Sequence, residues 1–561
     1  MEQDVGVHKS LLKYLLYCTG ILCASLGVLS DLLRGKPLLI GPVQIILVFI
    51  GVFIFTLGII VHLSEKAGWF KQEWIPGSIF ILIVLFSCAF IGYVKIDTFN
   101  SWRYTIDLFA FDTAIKETAR GNWGLEFTYG NAFGDHAYFF LLALVPFAWI
   151  NKSSTIYALL LSGPVVFAIT SLIFYSTVRK FVDIKKSFFI SLIFLLGFGL
   201  TFISLIETRY GMHPDTYAGY LAVAMTSFLL YREKRESLGQ TTALQNLGAF
   251  IFLFLFVIQK EEMALLAVIF FLIVVIFKRT KFHLYLLIFS VLALGAGILI
   301  MECSQTPFNR TNLSVIDNLI MTINDQGFIS LFNAPNDGSA RRVMYWVTVL
   351  VSCVSFLVTL LVWKTRNVYT FGLFLIGLVL MGFSISVLDF RITTWHTFPA
   401  IIMMMAAVLF QIAMSPKQVK FTQPLLLSFL LFSFIMFWVS NLPFLTDRLK
   451  NNYERKPFVK QATIEFNEMQ RLIDPMKIIA LPDGTKAAWL DFRTTLYPRG
   501  VFTTPVGIAD YVIIRRNSED ALLLTSFEEI HQTQTFLLFK RIIVSEEDEK
   551  NREYFRKFGI D

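Results

Sequence analysis

The sequence predicts an all-α polytopic membrane bundle of about 13 transmembrane helices with one short re-entrant or interfacial segment, followed by a small C-terminal α/β extracytoplasmic domain. Three observations predict it. The 561 residues are 55% apolar and only 16% charged, with a mean hydropathy of +0.63, where a soluble domain carries about 25% charged residues. Fourteen apolar stretches are nearly free of Asp, Glu, Lys and Arg. After Asn441 the composition turns charged, with short strand-like runs.

A window of about 19 residues places the apolar stretches at 11 to 32, 38 to 62, 76 to 94, 138 to 150, 155 to 178, 187 to 206, 215 to 231, 243 to 258, 263 to 277, 283 to 301, 343 to 363, 368 to 388, 395 to 414 and 423 to 442. At about 1.5 Å per residue, the run 138 to 150 covers only about 20 Å of a hydrocarbon core about 30 Å thick. It therefore reads as re-entrant or interfacial. The division that follows is 1 to 94 as N-terminal transmembrane helices, 95 to 136 as a first extracytoplasmic loop, 137 to 442 as the transmembrane core, and 443 to 561 as the outer domain.

Orientation follows from the basic loops, which the positive-inside rule assigns to the cytoplasm. These are Arg179, Lys180, Lys185 and Lys186; Arg232, Lys234 and Arg235; Lys278, Arg279 and Lys281; Lys364 and Arg366; and Lys417 and Lys420. The intervening turns 95 to 136, 207 to 214, 259 to 262, 302 to 342 and 389 to 394, and the chain after Asn441, are then extracytoplasmic, provided that 138 to 150 does not cross. Arg34 and Lys36 in the first hairpin fall on the outer side against the rule. With the basic residues accounted for by topology, the net charge of +8 implies a bilayer and no nucleic-acid partner. The five cysteines, Cys18, Cys23, Cys88, Cys303 and Cys353, show no CxxC pairing and suggest neither a disulfide framework nor a metal knuckle.

Four outer segments carry ionisable groups: Asp107, Phe111-Asp112 and Gly134-Asp135-His136 in the first loop; Glu207, Arg209 and His213-Pro214-Asp215 in the next; Lys260-Glu261-Glu262; and Asp389, Arg391 and Trp395-His396. Charge beside a span is costly unless partnered or functional, so their coincidence on one face predicts a shared site. Taken singly, each turn is equally what a solvated hairpin cap or a structural ion pair requires. His213 before a proline marks a helix start, with Asp215 at the positive end of the dipole. His136, His213, Asp215 and His396 show no HxxxH or HxH spacing, so no metal site is predicted, although a divalent ion is compatible with the residue types. Sequons at Asn151, Asn309 and Asn312 matter only in a glycosylating secretory pathway. In the tail, strand-like runs at 477 to 481, 511 to 515 and 535 to 539 and a helical run at 459 to 472 read as α/β, without a glycine-rich phosphate loop.

Taken in order, Phe111-Asp112, Gly134-Asp135-His136, His213-Pro214-Asp215, Lys260-Glu261-Glu262 and Trp395-His396 resemble the polytopic membrane family called domain of unknown function 2079, from about Trp102 to His396, and Ala509-Asp510-Tyr511-Val512 resembles that family's late strand. That family is similar to the C-type (GT-C) glycosyltransferases, which take sugar from a polyprenyl-phosphate donor. The resemblance implies a GT-C-like fold in the plasma (inner) membrane, interfacial helices in the first outer loop, and Asp112 as the match to the catalytic acid. Thr113 follows it, so the paired acids common in that loop are absent. The roles expected are Asp112 as general base, Lys260 or Arg391 as phosphate partner, and Asp135, His136, His213, Asp215 and His396 as ligands of sugar or of a lipid or glycan acceptor, with Glu261 and Glu262 touching substrate or orienting the lysine. No cofactor is required. Two other classes fit the composition: a transporter or flippase, for which the chain lacks a clear internal repeat and midplane charge, and a non-catalytic assembly factor.

Overall fold

The computed structural model describes residues 74–104, 106–127, 130–150, 154–197, 201–206, 212–306, 367–387, 394–414, 433, 442–474, 477–482, 493–497, 508–518 and 524–558. The runs 11 to 32, 38 to 62 and 343 to 363, and nearly all of 423 to 442, lie outside them. The helices are α1 Trp74–Asn100, α2 Ile106–Ala119, α3 Ala132–Asp135, α4 Phe140–Ile150, α5 Ser154–Val178, α6 Ile184–Leu196, α7 Thr201–Ile206, α8 Asp215–Glu236, α9 Ala243–Val257, α10 Glu261–Lys278, α11 Lys281–Cys303, α12 Val368–Val387, α13 Thr394–Met414, α14 Leu442–Gln470 and α15 Glu546–Arg556. The strands are β1 Leu125–Glu126, β2 Gly130–Asn131, β3 Ile478–Pro482, β4 Arg493–Tyr497, β5 Tyr511–Arg515, β6 Phe527–Gln532 and β7 Phe536–Arg541.

Among the described residues, three helices are long and apolar enough to cross a membrane: Ile75–Asn100, Ser154–Val178 and Lys281–Cys303. Shorter apolar helices run over Phe140–Ile150, Ala243–Val257, Val368–Gly382 and Phe398–Met414. Within the run 138 to 150, Phe140–Ile150 forms a helix of 11 residues with Pro146 inside it. One expected span breaks. The run 187 to 206 divides into α6 and α7 because Gly197 takes a left-handed conformation at φ 51, and its N–H closes on the carbonyls of Ile193 and Phe194.

Register between helices shows which ends lie together. Thr170 Oγ1 of α5 donates to the Tyr220 carbonyl of α8 at 3.3 Å, and the Phe174 ring of α5 meets the tilted Phe410 ring of α13 with centroids 4.6 Å apart. Gly219 of α8 lies so close to α13 that an added Cβ would stand 2.7 Å from the Pro399 carbonyl oxygen. At one end of the bundle, Lys278 and Asn367 both reach Glu233, and Arg232 pairs with Glu236 at 2.9 Å. That cluster closes the last turns of α8 and α10, so the first turns of both helices, with His213 and Glu261, lie at the other end.

The C-terminal strands form one five-stranded mixed sheet in the order β4-β3-β5-β7-β6, with β3 parallel to β4 and β5, and β7 antiparallel to β5 and β6. Alternation decides its faces. Ile478, Ala480, Val512, Ile514 and Phe539 join Phe555 of α15 in a small core that also takes in Leu125 and Phe127, beside the β1–β2 hairpin. The segment following α2 is therefore packed into the sheet. Asn452 of α14 adds a second tie, its Nδ2 donating to Asp97 Oδ2 at 2.9 Å and Thr98 Oγ1 at 3.1 Å on α1.

Candidate functional site

Asp112 lies on α2, buried to 4% exposure. Lys116 Nζ stands 2.5 Å from its Oδ2, one helical turn on, and the Thr155 hydroxyl at the start of α5 donates to its Oδ1. The helix can hold that carboxylate because α2 is covered: Phe111, Ala114 and Ile115 are buried beside it. The adjoining Phe111 ring meets Tyr138 edge to face at 5.2 Å, and Tyr138 meets the His136 imidazole at 5.1 Å. Two aromatic contacts thus link Asp112's neighbour to the second polar group.

That second group is built on the turn between α9 and α10. Phe140 N–H donates to the Ile258 carbonyl at 3.0 Å, which fixes the entry of α4 against this turn. Glu261, first residue of α10, accepts from His136 Nδ1 at 2.8 Å and from the Ala137 N–H at 3.0 Å. Burial alone would push this carboxyl up, but the His136 hydrogen bond and charge, the Lys260 charge and the Ala137 N–H outweigh it and hold the group at about 2. Glu261 precedes the apolar run 263 to 277, and its carboxylate sits at the positive end of the α10 dipole. Lys260, buried to 4%, donates to Glu262 Oε1 at 3.2 Å.

The two acidic neighbours of Lys260 therefore do different things. Glu262 pairs with the lysine, as the sequence suggests, whereas the Glu261 carboxyl turns to His136 and Ala137. The physical reason is the helix start: consecutive first-turn side chains point about 100° apart, so only one can face the His136 and Ala137 segment ahead of α4. His213 directly precedes Pro214 and α8, as expected from the proline. Asp135 and Asp215 are placed by their backbone, ending α3 and opening α8, and His396 falls in the first turn of α13. Arg391 lies outside the described residues, as do Glu207, Arg209 and Asp389.

One residue escaped the sequence reading. Lys95 follows the apolar run 76 to 94 and reads there as the first loop residue, but α1 continues to Asn100 and leaves the lysine buried at 4% exposure. It lines a small cavity with Gly163, His213, Thr216 and Tyr217. Among the described residues no group of three or more His, Cys, Asp or Glu side chains is arranged to hold a metal ion.

No family model and no curated protein matches the sequence, so the likeness to the domain of unknown function rests on the short motifs alone. Solved structures do match. The chain is similar to ArnT from Cupriavidus metallidurans bound to undecaprenyl phosphate, with TM-score 0.47 and 10% identity over 82% of this chain and 98% of that one. It is also similar to the Archaeoglobus fulgidus oligosaccharyltransferase in the apo form, with TM-score 0.44 and 13% identity over 80% and 70%. AglB from the same organism, in complex with an inhibitory peptide and a dolichol-phosphate, gives TM-score 0.43 and 11% identity over 80% and 70%. At those scores the likeness carries no argument about chemistry, which has to come from the residues of this chain.

Proposed function

We propose that this chain is a membrane glycosyltransferase that moves a sugar from a polyprenyl-phosphate-linked donor to an extracytoplasmic acceptor, with Asp112 as general base. The observation that carries the reading is the buried Asp112 carboxylate, placed by α2 between Lys116 and Thr155 and joined through Phe111 and Tyr138 to the His136–Glu261 pair. The resemblance set by the motif order points the same way.

The chemistry needs few groups. As the acceptor hydroxyl oxygen attacks the anomeric carbon, its proton passes to Asp112, and the bond from that carbon to the phosphate oxygen breaks with its electron pair leaving on phosphate. Phosphate is a good leaving group, so no general acid is required. A cation should meet the charge that develops on the leaving oxygen; Lys260 is assigned to it, with Glu262 as its resting counter-ion, and Arg391 is the second candidate. Asp135, His136, His213, Asp215 and His396 are assigned to sugar or acceptor hydroxyls, with Glu261 fixing the His136 ring. The apolar faces between helices would take the lipid tail.

A non-catalytic role is the second reading, because an i,i+4 pair with Lys116 is also what a purely structural Asp112 would form. Asp112→Asn in membranes supplied with lipid-linked sugar separates the two. The expected loss of transfer is about 10²- to 10⁴-fold, the range for removing a general base, with the protein still inserted and melting as before. Transfer at an unchanged rate would reject Asp112 as the base.

A further inference from the structure

The cavity beside Lys95 shares His213 with the residues assigned to substrate above, but its cation and its hydroxyl, Lys95 and Thr216, belong to neither the Asp112 nor the Glu261 group. It is walled by α1, by Gly163 of α5, by α7, and by the segment that opens α8 with His213, Thr216 and Tyr217. The cavity is small, about 10 Å³, room for roughly one water molecule. Lys95 is buried to 4% and makes no hydrogen bond or ion pair among the described residues. Among the described side chains, two nearby acidic groups are engaged elsewhere: Asp97 by Asn452 and Lys456, and Asp112 by Lys116 and Thr155. The Thr216 hydroxyl, buried in the first turn of α8, has no hydrogen-bond partner either.

An isolated buried ammonium costs several kcal/mol and is relieved by a counter-charge or by loss of its proton. A cavity of one-atom size, with a cation, an unused hydroxyl donor and the start of the 22-residue helix α8 in its wall, is complementary to a single negative atom. We propose that this cavity is an anion-binding site that receives one singly charged atom, either a free halide or a terminal oxygen of a phosphate group, held by Lys95 and the Thr216 hydroxyl. The inference does not depend on the glycosyltransferase reading, since it follows from the unmet charge and hydrogen-bonding capacity of Lys95 and Thr216, neither of which that reading uses.

The test uses the full-length protein purified in detergent and exchanged into sodium gluconate at fixed ionic strength. Melting temperature is followed while sodium bromide, inorganic phosphate or a short-chain polyprenyl phosphate replaces gluconate in separate titrations. At least one of these anions should give a saturable rise, and which one does so identifies the source of the charge. Lys95→Met should abolish the rise while melting no lower than the anion-free wild type, because it removes an uncompensated buried charge. Lys95→Arg should keep the response. Thr216→Val should weaken the apparent affinity about tenfold, the worth of one hydrogen bond to a charged group. A wild type that responds to none of the three anions, or responses identical in wild type and Lys95→Met, overturns the proposal. Neither result touches the Asp112→Asn transfer assay, so the two readings fail separately.

Discussion

Replacing Glu261 by Gln keeps the side chain's shape and one acceptor oxygen but removes the charge that His136, Lys260 and the Ala137 N–H surround. In the folded protein the carboxyl is held at about 2, against an ordinary value of 4.5. Each pH unit of separation is worth about 1.4 kcal/mol, so the ionised form contributes on the order of 3 kcal/mol, little discounted because the side chain is only 18% exposed. The folded value lies below the unfolded one. The contribution is therefore complete above about pH 5 and is lost as pH falls from 4.5 towards 2. Wild type and Glu261→Gln, unfolded in parallel by denaturant and followed by tryptophan fluorescence, should differ by roughly that amount at pH 7 and converge near pH 2. A gap that stays constant across this range, or no gap at pH 7, would refute the account of the His136–Glu261 pair.

Two further changes test the packing that positions the site. Gly219→Ala puts a Cβ 2.7 Å from the Pro399 carbonyl oxygen and 2.8 Å from its Cα, backbone atoms that cannot swing aside, so a loss of about 1–3 kcal/mol is expected, read as a lower melting temperature; an unchanged melt would show that α8 and α13 are not this close. Asn452→Ala strips the buried donor shared by Asp97 and Thr98 and should cost about 1–3 kcal/mol, with faster protease cleavage near α14; equal cleavage rates would show that α14 is held to α1 by other contacts.

The apolar runs 155 to 178, 243 to 258 and 283 to 301 became helices within one or two residues of their expected bounds, because a bilayer span has to satisfy its own backbone and a long run without charge has few other options. The strand at 511 to 515 was equally plain from its Val and Ile content. The break at Gly197 was less legible, since a glycine inside an apolar run is compatible with a continuous helix until neighbouring side chains decide its φ. Lys95 was hidden for a related reason: a lysine just past an apolar run is cheap when it reaches water, and only the extension of α1 to Asn100 and the packing of α5, α7 and α8 around it deny it that route.

By itself the sequence determined that this protein is apolar for most of its length and that its long uncharged runs favour helices, and which few segments carry ionisable side chains, because hydrophobic length and charge cost are properties of composition. Tertiary structure alone decided the partners: Glu261 with His136 across 125 positions, Thr155 with Asp112 across 43, and Lys95 left against a cavity with Thr216. Such pairings depend on which helix ends the fold brings within about 3 Å, and no local pattern encodes that distance.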